Sequence, residues 1–379
     1  MKKTLLLCAA VLLLFTAACG EPVDTPHAES PAQETQSNPI VEESIVVASA
    51  TEQPTAVPAT PEPTEAPTPE PTEEPTPEPT PEPTRAPREG DICPNFPDYD
   101  TGVDADYSYQ SDELRIAITV HQENLADVKQ NRELMSTYYI ADIWVRNIRS
   151  MHTAFAKGEF NKHSERGNEL AVRENAVLAI NGSQNQGLVL QNGKVLQKLR
   201  KNKGWNSGAV GLFYRDGSFK TFYLKNETFN LNKEIENGAL YGWQFGPVII
   251  RDGEEGPGAT SYGGMGYKAR NILGYYEPGH YVVVTCDNQH KNANGMDAQM
   301  MIDLMKSLGV KEAFNLDGGT SAVLVFMGEV INRPTTETVN GKTVYGRPLL
   351  DMFVFGECGE DGNFVDLSTL TASKFKAVE

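Results

Sequence analysis

The order of apolar and polar positions along this chain is mainly that of β-strands. Residues 114–120 and 139–145 alternate with period two, as expected of strands with one buried face. Residues 176–180 form an unbroken apolar run that ends at Asn181-Gly182, which reads as a buried strand delivering a loop. Residues 188–195 contain Gln191-Asn192-Gly193-Lys194, a hairpin signature, and residues 210–224 repeat the pattern around Arg215-Asp216-Gly217. The run from Phe245 to Ile250 leads into an Asp252-Gly253 turn. Helical periodicity is rarer. It is expected over 165–175, with Ala171 and Val172 on one face, and more strongly over 297–308. There Met300, Met301, Leu304, Met305 and Leu308 follow i, i+3, i+4 spacing, and Gly309 supplies a C-cap. The methionines read as core packing, the usual use of a flexible thioether, and not as a metal box. The pattern predicts an α+β fold: a strand-rich single domain with mostly antiparallel sheet and one long helix packed on it.

The ends of the chain follow other rules. Lys2 and Lys3 precede a short apolar core over 5–15, and Thr16-Ala17-Ala18-Cys19-Gly20 places small residues around a cysteine. Residues 1–19 therefore read as a lipoprotein-type signal peptide with Cys19 as the lipidation site, the apolar run being short for a transmembrane helix. The alternative is a plain secretory signal cleaved nearby. Residues 20–90 hold 17 of the chain's 24 prolines and repeat Pro-Thr-Glu-Pro-like units, too little apolar content to offset ordering entropy. This segment is expected to be a disordered linker whose stretch over 54–88, if polyproline II, spans roughly 100 Å. A glycosylated or merely solubilising stalk has the same composition.

Setting the linker aside changes the charge picture. The whole chain carries a formal −18, but residues 1–90 account for 15 acidic and 4 basic side chains, so the remainder is only mildly acidic. No basic cluster suggests nucleic-acid binding. A single domain is expected over 91–360, followed by a C-terminal tail over 361–379. Cys93 and Cys358 bracket the domain, and an exported protein permits a disulfide between them, whereas Cys286 lies in an apolar run and reads as a buried thiol.

The candidate chemistry centres on Asn315-Leu316-Asp317-Gly318-Gly319-Thr320-Ser321, where a carboxylate, an amide and hydroxyls surround two glycines after a helix pattern. Glycines let backbone approach a ligand closely, although an ordinary Asp-Gly turn has the same composition. Neighbouring segments give it context. Ala179-Ile180-Asn181-Gly182-Ser183, the strand and turn over 210–217, Phe245-Gly246-Pro247-Val248-Ile249-Ile250-Arg251-Asp252-Gly253, Ala269-Arg270-Asn271-Ile272-Leu273-Gly274, the strand ending at Asp287, and Asn315 to Ser321 occur in that order. In this order and spacing the chain resembles the phosphodiester glycosidases related to the lysosomal uncovering enzyme, over roughly residues 170–333. It departs from that pattern at Ser183, Gln184, Asn185, Asn288 and Thr320, and Ser183 and Thr320 add bulk beside the expected site.

The resemblance implies hydrolysis of a sugar 1-phosphodiester, a glycosidase-type reaction that releases the sugar and leaves a phosphomonoester. Arg270 is then the candidate to hold the phosphate, since a guanidinium fork matches phosphate oxygens; its bland reading is a surface ion pair. Asp317 and Asp287 each follow an apolar strand and are the candidate catalytic carboxylates, as nucleophile or base and partner; each also suits a capping turn. Asn181, Gly182, Asn315, Gly318, Gly319 and Ser321 are expected to bind substrate through amide, hydroxyl and backbone donors. His290, three residues beyond Asp287, could serve as an acid but reads better as a solvated loop histidine, and His163 has the same two readings. No spacing suggests zinc, and no cofactor is required; Ca²⁺ or Mg²⁺ held by Asp287, Asp317 and carbonyls stays open. The expected partners are a glycan or sugar-phosphate substrate and, through the lipid anchor, a membrane. The expected setting is extracytoplasmic, on the outer face of a bacterial cell membrane, acting on cell-envelope or exopolysaccharide glycans, with secretion as the alternative. Two other functions fit the same residues: a non-catalytic cell-surface glycan-binding module, and a metal-dependent phosphodiesterase.

Overall fold

A computed structural model describes residues 86–376 apart from 128–129, 201–207, 226, 261–265, 291–292, 335 and 340–341. The chain divides into two units, Met1–Thr76 and Pro77–Glu379, and every described residue belongs to the second. The expected signal peptide, Cys19 and nearly all of the expected linker lie outside the described residues.

Three antiparallel sheets build the domain. The largest has eight strands, in the spatial order Tyr107–Gln110, Leu114–Asp127, Arg132–Val145, His280–Cys286, Arg270–Glu277, Glu312–Asn315, Val248–Arg251 and Glu254–Glu255. A second sheet orders Lys194–Gln197, Val189–Gln191, Ala239–Phe245, Ala209–Tyr214 and Phe219–Tyr223. The third orders Glu329–Val330, Leu324–Phe326, Leu178–Asn181, Asp351–Phe355 and Met151–Phe155. The inner faces meet in one apolar core. Ile116, Ile143, Tyr281 and Phe314 come from the first sheet, Phe213 and Trp243 from the second, and Phe326, Phe353 and Phe355 from the third. Phe353 lies at its centre, stacked on Phe213 at 5.0 Å and edge-on to Trp243 at 5.0 Å. Offset and edge-to-face rings of this kind add specificity to the area they bury.

Helices cover outer faces, which explains why several strands read as continuous apolar runs. In His280–Cys286, Tyr281 and Val283 point into the core while Val282 and Val284 pack under Met300, Met301, Ile302 and Met305 of the helix Ala298–Ser307. A strand buried on both faces has no polar side to alternate with. Asp297 caps that helix, its side chain accepting from Met300 N at 3.0 Å. Gly167–Arg173 covers the third sheet through Leu170 and Ala171, and Leu231–Glu236, a helix without a sequence signal of comparable strength, packs near the second.

The α+β, mostly antiparallel fold is as the sequence predicts. The long helix is not: Ala298–Ser307 is ten residues, about three turns, because its capping aspartate and Gly309, at φ 75°, close it on both sides. Cys93, Cys286 and Cys358 are buried free thiols, so the disulfide considered between Cys93 and Cys358 is not formed. Residues beyond 360 pack on the domain: Ser108 N donates to Lys374 O at 2.9 Å, and Phe375 meets Tyr107 edge-on at 5.5 Å. Among the described residues no helix is long and apolar enough to cross a membrane.

Candidate active site

Two loops from different sheets are stitched together at the site. Leu178–Asn181 of the third sheet ends in Asn181-Gly182, and Glu312–Asn315 of the first sheet runs into Leu316-Asp317-Gly318-Gly319. Asn181 is fully buried, and its Nδ2 donates to Asp317 O at 2.7 Å while its Oδ1 accepts from Asn271 Nδ2 at 2.7 Å and Val323 N at 3.2 Å. Asp317 N donates to Gly182 O at 3.3 Å. Every polar atom of the Asn181 amide is thus engaged with protein. It braces the Asp317 loop and does not face the opening.

Strand Arg270–Glu277 fixes the other wall: Ile272 pairs with Asn315, and Gly319 N donates to Ala269 O at 2.9 Å. A Cβ on Gly318 would sit 2.5 Å from that same carbonyl, and Gly319 takes φ 61°, so both positions require glycine to hold the loop against the strand.

The result is a pocket of about 200 Å³ lined by Asp317, Asn315, Lys268, Arg270, Arg347 and the Gly318–Thr320 backbone. Asp317 is the acidic residue of this lining, among three cations. Arg347 donates through NH2 to Asp317 Oδ2 at 2.6 Å and through Nε to Ser321 Oγ at 2.6 Å. Burial pushes the Asp317 carboxyl above its ordinary value, opposed by the Ser321 hydroxyl and the Arg347 charge. Arg270 is 4% exposed and makes no ion pair among the described residues; its guanidinium donates to Met296 O at 3.2 Å and to Gly266 O. Burial lowers its pKa to about 10. A buried cation without a counter-ion favours an anion at the pocket. Asn315 Nδ2 donates to Gly246 O at 2.9 Å, and its buried Oδ1 has no partner, leaving an acceptor for a donor on a ligand.

The structure thus brings Asp317, Arg270, Asn315, Gly318 and Gly319 to one pocket, with Ser321 behind Arg347. The Asp287–Asp317 pair does not form there. Asp287 is fully buried, and its carboxylate accepts from Asn332 Nδ2 at 2.9 Å and Arg333 N at 3.0 Å. The segment at 332–333 folds over the strand end and consumes the carboxylate. The oxygen donor set considered for Ca²⁺ or Mg²⁺ is therefore not assembled, and no cluster of three or more His, Cys, Asp or Glu able to hold a metal occurs among the described residues. Gly182 also has another role. A Cβ there would lie 2.1 Å from Asp351 Oδ2, and the fully buried Asp351 accepts from Ser183 N at 3.0 Å and Gln184 N at 2.8 Å. Burial pushes the Asp351 carboxyl up to about 7, with the nearby Asp317 charge adding to the shift.

Arg347, Lys268 and Asp351 are the residues that sequence reasoning missed. Asp351 opens an apolar strand, whereas Asp287 and Asp317 were singled out because they follow one. Arg347, in Gly346-Arg347-Pro348, has no such signal.

Three antiparallel sheets thus place a carboxylate among cations at their loop ends, an arrangement that favours an anionic ligand. The model of the phosphodiester glycosidase family matches residues 166–355, and the chain belongs to that family of glycosidase-type hydrolases. The SPbeta prophage-derived uncharacterized protein YomE of Bacillus subtilis (strain 168) is 29% identical over 171 residues, 43% of this chain and 26% of that protein. The chain spans about a quarter of that relative's length. Among solved structures, the catalytic domain of zebrafish N-acetylglucosamine-1-phosphodiester α-N-acetylglucosaminidase, auto-inhibited by its pro-peptide, superposes with a TM-score of 0.53 at 20% identity. The superposition covers 67% of this chain and 86% of that one, and at this identity it establishes the fold alone.

Proposed function

We propose that this domain hydrolyses the glycosidic bond of a sugar 1-phosphodiester, releasing free sugar and a phosphomonoester. The observation that carries the proposal is Asp317 in a pocket walled by Lys268, Arg270 and Arg347. Cleavage breaks the bond between the anomeric carbon and the phosphate oxygen, and the electron pair leaves with the phosphate. A phosphomonoester, with a second pKa of about 6, is a good leaving group at neutral pH and needs no strong general acid. A second carboxylate in the pocket is therefore dispensable. Charge accumulating on the departing phosphate is met by the Lys268 ammonium and by the Arg270 and Arg347 guanidinium groups, the latter two held by hydrogen bonds before reaction begins. Asp317 either adds to the anomeric carbon or takes a proton from the attacking water, and the Arg347 contact favours its ionised form against the effect of burial.

The substrate setting is a proposal of the same kind. The small-residue sequence before Cys19 and the proline-rich segment to residue 90 support a domain tethered outside the membrane and acting on cell-envelope or exopolysaccharide glycans. Lipid labelling lost in Cys19→Ser tests the tether.

The decisive assay is product analysis in ¹⁸O-water on a panel of sugar 1-phosphodiesters. Label in the free sugar, lost in Asp317→Asn with the fold intact by circular dichroism, is the expected result. Label in phosphate, with sugar 1-phosphate released, would assign the enzyme to the phosphodiesterases. Full turnover by Asp317→Asn would remove Asp317 from the chemistry.

A further inference from the structure

A larger cleft, about 510 Å³, opens elsewhere on the third sheet, within the roughly 300–1,000 Å³ range of small-molecule sites. Its lining includes Arg149, His152, Asn192, Tyr241 and Phe364, and it shares no residue with the Asp317 pocket. The two lie toward opposite ends of the same strands. Asp351 pairs with Phe155 and Met352 with Asn181 near the pocket, whereas Val354 pairs with His152 and Phe355 with Leu178 toward the cleft.

One wall of the cleft is internally satisfied. His152 Nε2 lies 3.3 Å from Glu174 Oε2, and Arg173 binds Glu165 at 2.9 Å and Phe155 O at 2.8 Å. Two groups are not. Arg149 is exposed, so its guanidinium is hydrated and makes no ion pair or hydrogen bond among the described residues, and Gly362 lies against it, with a Cβ there 3.3 Å from NH1. Tyr241 is 7% exposed, and its hydroxyl, which has no hydrogen-bond partner among the described residues, is open to solvent. A buried ring holds this solvent-facing hydroxyl in a fixed place, where a ligand can replace its water. Phe364, tilted against His152 at 4.8 Å, gives an apolar face, and Asn192 adds amide groups. An uncompensated guanidinium, a phenol, an amide and an aromatic face together suit a polyhydroxylated ring bearing negative charge, and are too polar for a lipid chain.

We propose that this cleft binds an acidic saccharide unit, one carrying a carboxylate or a phosphate. The site is non-catalytic and independent of turnover at Asp317. Binding is read by isothermal titration of the full chain with glucuronate, glucose 1-phosphate, glucose and inorganic phosphate. Wild type is compared with Arg149→Ala, Tyr241→Phe and Asp317→Asn. Glucuronate or glucose 1-phosphate should bind, and whichever binds names the anionic group. Arg149→Ala should weaken it about tenfold or more and Tyr241→Phe about fivefold, the losses of a charge-assisted and a neutral hydrogen bond. Asp317→Asn should leave it unchanged, which separates this site from the reaction pocket. Four results would overturn the proposal: no binding of either acid, equal binding of glucose, equal binding of inorganic phosphate, or affinity that follows Asp317 and ignores Arg149. Because Tyr241→Phe keeps the ring that packs in the core, a folding defect cannot mimic its expected loss.

Discussion

Replacing Gly182 with alanine tests whether the loop beside Asp317 is held by its fit to Asp351. Gly182 has no left-handed backbone angle, so the cost of the added methyl is steric. An ideal Cβ would stand 2.1 Å from Asp351 Oδ2 and 2.6 Å from its Cγ, far inside van der Waals contact. The carboxylate cannot yield cheaply, because it is fully buried and accepts the Ser183 and Gln184 amides. Turning it away leaves two buried N–H groups unsatisfied, at about 1–3 kcal/mol each, so Gly182→Ala should cost about 2–6 kcal/mol. That is a large part of a typical domain stability of about 5–15 kcal/mol. Urea denaturation followed by tryptophan fluorescence measures it, with Asp351→Ala and the double variant completing a cycle. With the carboxylate gone, the extra cost of Gly182→Ala should fall below about 0.5 kcal/mol, the range of a substitution that meets no obstacle. An equal cost in both backgrounds, or a negligible one in wild type, would refute the steric argument.

Three further outcomes are expected. Glu312 is buried, with Thr221 Oγ1 and Asp252 N on its carboxyl, and burial pushes it up to about 7. A raised folded-state pKa means that the native state holds the proton longer, so its stabilising share is present below about pH 4.5 and is lost as pH rises through about 7. The wild-type stability minus that of Glu312→Gln should therefore fall by up to about 3 kcal/mol between these pH values, and a flat difference would reject the assignment. Arg347→Ala should lower kcat/KM about 100-fold, the scale of losing one fixed charge-stabilising donor. Because Arg347 holds the Asp317 pKa down, the acidic limb of the pH–rate profile should also move to higher pH; an unmoved limb would deny their coupling. Asp297→Ala removes the cap at Met300 N and should destabilise the domain by about 1 kcal/mol in thermal unfolding.

Much of this protein was legible locally. Period-two alternation over 114–120 and 139–145 marked parts of the strands Leu114–Asp127 and Arg132–Val145, and apolar spacing closed by Gly309 marked Ala298–Ser307. The order of short motifs was enough to place the chain in its family before any coordinates, since strand ends and glycine turns are written in adjacent residues. The chemistry of individual side chains was not. Asp287 and Asp317 each stand at an apolar strand end, and their neighbours along the chain do not show which carboxylate faces a pocket. What separates them is distant chain. Asn332 and Arg333 cover Asp287 and take up its oxygens, whereas Arg347, thirty residues beyond Asp317, binds that carboxylate at the edge of an open pocket. Asn181 changed in the same way, from a substrate ligand to a brace, once Asn271 and Val323 were brought against it. The sequence by itself determined which segments become strands, turns and caps, because those depend on neighbours along the chain. The tertiary structure decided which carboxylate meets solvent and which cations face it, because burial and electrostatic partners come from packing between segments far apart in sequence.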